Sequence, residues 1–418
     1  MLDIKWIKNN AKEADQAFKK RGLKPLSNKI IKMSQTRSKT FVKLENLLEQ
    51  RNKISNEISK TNDKSKKNEL IKKVKLLKDD INKLQEGKSS TNSELDEFLM
   101  ELPNFLDKSV PDGKTDKDNV EIKKVGNIKD FSFKIMDHVD IGEKLDILDF
   151  KTATKVSGSR FVYLKNNLAK LERALTNFMI ESNVNSGNFS EIYTPLLVNS
   201  DSLKGTGQLP KFDSDIFKTN NGFWLIPTSE VTLINYVRDK LLNVDELPIR
   251  YTCYSPCFRS EAGAAGKDTR GLKRQHQFGK VELVSITTSD KSDKEHLFLL
   301  STAEKILKDL DLPYRVCELC SAEVGFAAKK TFDIEVWIPS LKEYMEISSI
   351  SNCGDFQSRR TNTRYKINGK KNYPHTLNGS SLAVGRTIIA ILENYQNEDG
   401  TITIPEILRK YMNNMERL

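Results

Sequence analysis

Cys257-Phe258-Arg259-Ser260-Glu261, a loop of small residues, and then Arg270-Gly271-Leu272-Lys273-Arg274-Gln275-His276-Gln277-Phe278-Gly279-Lys280-Val281-Glu282 form the stretch that decides the fold. It reads as two strands joined by a long loop. The loop, Ala262 to Thr269, contains Gly263 and Gly266 and is small enough to reach over a ligand. Arg259 can fork two hydrogen bonds onto a phosphate. Glu261, two residues on, is expected on the same strand face, where it can accept from an exocyclic amine. Phe278 offers a flat surface for a base. A charged, solvated hairpin has the same composition, so both readings stand at this point.

A second constellation, Asn378-Gly379-Ser380-Ser381-Leu382-Ala383-Val384-Gly385-Arg386, runs into an apolar helix. A small-residue loop opening a helix can bring backbone and another arginine against phosphate. The chain has no GxxxxGK[ST] loop and no GxGxxG fingerprint. A bound nucleotide would therefore lie on an antiparallel sheet held by arginines. The β-rich runs 224–226, 281–286 and 332–338 alternate with helical stretches near 166–181, 293–310 and 382–395. Together they predict an α+β domain on a mostly antiparallel sheet.

Upstream the pattern changes. Leu70, Val74, Leu77, Ile81 and Leu84 recur at spacings of four and three, an a/d seam. Phe41, Leu44, Leu48, Ile54 and Ile58 follow a looser helical spacing, and the polar 61–68 between them is turn chemistry. The economical reading is an antiparallel coiled-coil hairpin whose second helix, 67–100, is ~50 Å long. A coiled coil with another chain is the alternative. The segment 110–128, rich in Pro, Gly, Asp, Lys and Asn, reads as a linker. The expected domains are thus a helical arm at 1–110, a linker at 111–128 and a catalytic domain at 129–418. Residues 1–110 carry 25 Lys+Arg against 16 Asp+Glu, while the remainder carries 43 against 41. A basic arm on a near-neutral body points to a polyanion, with nucleic acid first, although a solvated lysine-rich helix has the same charge.

Composition sets limits. With 37% hydrophobic residues the 418-residue chain can bury a core. Its longest aliphatic run, Ile388 to Leu392, is far below the ~20 residues of a membrane span. The start lacks an apolar signal region, and five cysteines in 418 residues make no disulfide framework. Reduced thiols in a cytoplasmic, membrane-free setting are expected.

The stretches 259–282 and 378–386 resemble motifs 2 and 3 of class II aminoacyl-tRNA synthetases. Phe189-Ser190-Glu191-Ile192-Tyr193-Thr194-Pro195 resembles motif 1. FRSEAG, TRGLKRQHQF, EVWIPS, EISSISN, FQSRR and TLNGSSLAVGR in this order look like the bacterial-type seryl-tRNA synthetase family, and the hairpin with Arg51-Asn52-Lys53-Ile54 resembles its tRNA-binding arm. The resemblance runs nearly end to end. It implies ATP contacts from Arg259, Ser260, Glu261, Phe278, Glu346, Ile347, Ser348, Ser349 and Arg386, with Arg259 and Arg386 catalytic on the phosphates. It also implies serine contacts from Thr228, Ser229, Glu230, Glu282 and Ser380. Mg²⁺ would accompany ATP at Glu346 and Ser349. Pro195 would lie at a homodimer interface. The arm would bind the long variable arm of serine tRNA, and selenocysteine tRNA is a further candidate. The implied activity is serine–tRNA ligase. Two other readings are a synthetase-like paralogue acting on a carrier protein and a catalytically inactive RNA-binding coiled-coil protein. The full arm and the full ligand set count against them.

Ala322-Glu323 stands where the family has Gly-Asp, and Ser381 replaces a glycine. Cys317-x-x-Cys320 has no second pair, so no structural zinc is expected. His276 is expected to orient rather than act as a base, and His138, His296 and His375 receive no role.

Overall fold

The structure, a computed structural model, describes residues 1–264 and 270–418, with the backbone alone for 86–93 and 264. It divides into two compact units, Leu2–Leu102 and Pro103–Leu418, the latter including Met1.

In the first unit, two short helices, Ile4–Asn9 and Ala11–Lys20, precede α1 (Ser27–Lys60) and α2 (Lys64–Met100). Asp15 accepts hydrogen bonds from the Leu26 and Ser27 amides and from the Ser27 hydroxyl, which fixes the start of α1. Asp63 caps α2 by accepting from the Ser65 and Lys66 amides, so the hairpin turns within three residues. Leu70 and Ile81 of the expected seam are buried, and Val74, Leu77 and Leu84 are partly so. The expectation for Phe41 needs correction: it is 39% exposed. The α1 seam runs through Ile30, Ser34, Arg37, Thr40 and Leu44, one position off Phe41. Its polar members explain the loose apolar spacing. Arg37 pairs with Asp96 across the hairpin at 3.3 Å.

In the second unit, eight strands form one sheet: β1 (Val120–Val125), β2 (Ser190–Glu191), β3 (Ile249–Phe258), β4 (Gln277–Thr287), β5 (Tyr314–Glu318), β6 (Lys330–Ile338), β7 (Glu343–Asn352) and β8 (His375–Ala383). Their order is β1-β5-β6-β7-β8-β4-β3-β2, antiparallel throughout except for the β2–β3 pair. The 111–128 linker reading therefore fails at β1. This edge strand carries two lysines and a glutamate among its six residues, which protects a sheet edge and hides the strand in the sequence. The preceding segment also belongs to this unit, because Asn104 donates from its backbone to Phe326 O and Val110 is buried with Leu319.

Helices α3 (His138–Lys144), α4 (Asn166–Gly187), α5 (Ser292–Asp309) and α6 (Val384–Asn394) belong to the same unit. The largest core lies where α4, α5 and α6 meet the sheet. Strand alternation assigns the two faces of β4. Val281 and Leu283 enter that core, so Phe278, Lys280 and Glu282 share the other face.

Candidate active site

Two bulges shape the open face of the sheet. Between β6 and β7, Asp333 pairs with Ser349, Ile334 with Ser348, and Glu335 with Glu346. Ile347 is the extra residue. Without it, Glu346 and Ser349, three apart, would point to opposite faces; with it, they share one. The β8–β4 ladder shifts between Ser380 and Ala383, where buried Leu382 takes φ +79°. The hydroxyl of Ser381 there donates to Asn183 of α4 at 3.0 Å. Asn183 donates to Thr252, whose hydroxyl donates to the Glu282 carbonyl. The departure from glycine at 381 is thus a satisfied buried hydroxyl that ties β8 to α4, and Asn183 and Thr252 carry the link on to β4.

Eleven of the expected ligands line one cavity of about 430 Å³: Thr228, Glu230, Arg259, Glu261, Phe278, Glu282, Glu346, Ile347, Ser349, Ser380 and Arg386. A neighbouring cavity of about 650 Å³ shares Thr228, Glu230, Arg259 and Glu261 with it. Three expected ligands lie elsewhere. Ser260 donates to Ser214 O and so fastens its loop. Ser348, on the opposite face of β7 from Ser349, donates to Ser380 O. Ser229 is fully buried between Thr228 and Glu230 and lines neither cavity. Pro195 is exposed, two residues from Tyr193, which is 97% exposed.

The end of the cavity that holds Arg259, Arg274 and Arg386 is cationic. Arg259 lies over the Phe278 ring at 5.3 Å, and its Nε donates to Pro227 O. The His276 ring nitrogen Nδ1 lies 2.9 Å from Arg259 O, consistent with an orienting role. Glu261 does not continue the strand as expected. β3 ends at Phe258, and Glu261 adopts φ +51° and pairs with Arg274 at 3.1 Å. Of the loop expected to reach over a ligand, 265–269 lie outside the described residues. Arg386 Nη1 donates to Glu346 O at 2.7 Å and pairs with its carboxylate at 3.2 Å. Enclosure by the cavity would raise the pKa of Glu346, yet this guanidinium holds it below its ordinary value. Burial and the nearby Glu346 push Asp333 well above its own.

The other end is a carboxylate pocket. Glu282 is fully buried. Its Oε2 accepts from Thr228 Oγ1 at 3.0 Å and pairs with Lys280. Its Oε1 is buried without a partner. An unsatisfied buried acceptor costs roughly 1–3 kcal/mol, so the pocket is arranged for an incoming donor. Gln357 donates to Glu230 at 2.6 Å and accepts from Thr376. Burial, and then the charge of Glu282, raise the pKa of Glu230 to about 7.

Sequence reasoning missed Lys280, Arg274 and Gln357. Lys280 was legible by strand parity with Phe278 and Glu282. Gln357 lies in the quoted FQSRR stretch, but its contact with Glu230 was not legible, because only the tertiary fold brings the 356–361 helix there.

A seryl-tRNA synthetase N-terminal domain matches residues 1–106, and a class II tRNA synthetase core domain (G, H, P, S and T) matches 212–395. The serine–tRNA ligase of Ehrlichia ruminantium (strain Gardel) is 51% identical over all of this chain and 99% of its own. The chain belongs to the seryl-tRNA synthetase family. Among solved members, the Pyrococcus horikoshii seryl-tRNA synthetase complexed with ATP superposes with a TM-score of 0.91 at 35% identity, covering 100% of this chain and 99% of that one. The Naegleria fowleri cytoplasmic enzyme in complex with AMP gives 0.86 at 30%, covering 100% and 98%. The arm and the antiparallel core of this chain are the parts expected of that family.

Proposed function

We infer that the chain is a serine–tRNA ligase. It would activate L-serine with ATP to seryl adenylate and transfer the seryl group to the 3′-terminal ribose of serine tRNA. The observation that carries this reading is the junction, in one cavity, of an arginine–aromatic end and a buried carboxylate pocket with an unpaired acceptor.

The serine carboxylate attacks the α-phosphorus of ATP in line, and pyrophosphate leaves. That carboxylate is already ionised, so no general base is needed, and positioning with charge neutralisation does the chemistry. Arg259 would take the α-phosphate, with the adenine on Phe278 and its amino group at Glu261. Arg386 would take the terminal phosphates. In the free protein Glu261 and Glu346 engage Arg274 and Arg386, so ATP exchanges these ion pairs for its own. Thr228 and Glu230 would take the serine ammonium, and Glu282, with Ser380 opposite it on β8, the serine hydroxyl. A pocket with a buried unpaired acceptor rejects alanine and glycine, by up to the order of 10⁴-fold, because its own group stays unsatisfied.

Among the described residues no cluster of three His, Cys, Asp or Glu could hold a metal alone. Glu346 and Ser349, brought to one face by the bulge, offer two hard oxygens. This fits Mg²⁺, which typically uses one or two carboxylates plus substrate phosphates. When bound, Mg²⁺ supplies neutralisation of triphosphate charge.

The basic arm would grip the long variable arm of serine tRNA by shape and phosphate contacts. Selenocysteine tRNA would be charged as well where it presents a similar arm. Exposed Tyr193, Pro195 and Leu197 favour a homodimer about motif 1. No helix among the described residues is long and apolar enough to cross a membrane. The five cysteines are buried thiols, as a reducing compartment would keep them, and the proposed location is the cytoplasm. Incubation with ATP, labelled serine and a serine tRNA transcript tests the reading. Acid-precipitable serine is expected, and its absence with an intact transcript would contradict it.

A further inference from the structure

His138, which the reaction does not use, sits at a junction between three segments. Its Nδ1 lies 3.0 Å from Glu393 Oε1, and its backbone amide donates to the same oxygen at 3.1 Å. Its Nε2 accepts the Leu272 amide proton at 3.2 Å. An Nε2 that accepts from an amide leaves the ring proton on Nδ1, where it faces the carboxylate. Glu393 is buried on α6, the helix that carries Arg386, and its other oxygen accepts from the Ser340 amide. Leu272 directly precedes Lys273, Arg274 and Gln275, which line the nucleotide cavity.

Neighbouring contacts hold the same junction. Arg270 pairs with Asp137 at 2.8 Å and with Asp140 at 2.5 Å. Gly271 has φ +85°, and a Cβ there would overlap His138 Nε2. Gln396 exchanges two hydrogen bonds with the Met136 backbone. At the other end of α6, Arg386 Nε donates to Lys273 O at 3.4 Å. The irregular segment entering the cavity from 270, ahead of β4, is thus held to α6 twice, directly at Arg386 and through His138 at Glu393.

We propose that His138 is a positioning residue for ATP: by linking Glu393 to the Leu272 amide, it sets where Arg274 enters the nucleotide site. This rests on the reading of that cavity as an ATP site. The segment 136–140 lies outside the core matched at 212–395, so the core's nucleotide loop is registered by a residue that precedes it in the chain.

The test is titration calorimetry of Mg·ATP and of serine against the full-length parent and His138→Ala, His138→Asn and His138→Gln, with Tm measured for each. The asparagine amide reaches Glu393 but not Leu272, whereas the glutamine carbonyl reaches the Leu272 amide. ATP affinity is expected to fall about tenfold in His138→Ala and His138→Asn and to stay within about threefold of the parent in His138→Gln, with serine affinity unchanged in all. ATP affinity equal to the parent's in all three variants would overturn the proposal, as would equal losses in the asparagine and glutamine variants. These titrations decide the role of His138 even if the parent showed no serine-dependent pyrophosphate exchange, an outcome that would count against the proposed reaction alone.

Discussion

The hairpin arm and the sheet-based body use charge in opposite ways. On the arm, ion pairs such as Lys53–Glu49 and Lys73–Glu69 are exposed, one helical turn apart and replaceable. In the body, Glu230, Lys280 and Glu282 are buried within one pocket, and each answers to named neighbours. A solvated charge contributes a field that any polyanion can sense. A buried one contributes a shape that few ligands complete. The arm therefore fits a role in holding a large RNA, and the body a role in choosing a small molecule.

The sharpest way to break this division is to remove the arm. Deleting 35–99 is expected to spare serine-dependent pyrophosphate exchange and to lower aminoacylation more than about 10³-fold. Equal loss of both activities would merge the two roles. Next in size, Glu282→Ala removes the acceptor and strands Lys280. Exchange with serine should drop by about 10²- to 10⁴-fold, since breaking one partner of a buried pair costs roughly 3–5 kcal/mol. Near-parental exchange would move serine recognition elsewhere.

Glu230 sharpens the contrast through pH. Its pKa rises from 4.5 to about 7 on folding. Between those values the folded chain holds a proton that the unfolded chain has lost. Stability from this group therefore declines as pH climbs through that window, by about 3 kcal/mol in all. Glu230→Gln should match the parent in denaturant unfolding near pH 4 and exceed it at pH 8, while losing serine binding. Because an ammonium prefers the ionised carboxylate, the parent's serine affinity should weaken as pH falls below 7. A pH-independent affinity would exclude Glu230 from that contact. The smallest effect belongs to the arm: Lys53→Ala should leave the urea unfolding midpoint essentially unchanged, because its pair with Glu49 is solvent-exposed and screened.

What could be read in advance follows the same contrast. The α2 seam was legible because heptads are local, and Arg259, Phe278 and Glu282 because they share one quoted strand pair. The facing of Glu346 with Ser349 was not legible. It depends on one extra residue, Ile347, against Ile334 and Glu335 on another strand. β1 was hidden for a related reason, since a lysine-bearing edge strand is recognisable only beside β5. Ser229, Ser260 and Ser348 sit within motifs whose neighbours line the cavity. Their own hydroxyls point elsewhere, because motif membership does not specify side-chain direction.

On the proposed reading, Glu282, Glu230 and Thr228 choose the amino acid while Arg259, Phe278 and Arg386 hold ATP in the same cavity. Labelled pyrophosphate exchange into ATP, run separately with each of the twenty amino acids, tests it most directly. Exchange should appear with serine and stay near background with alanine, glycine and threonine. Equal exchange with alanine, or none with serine, would contradict it.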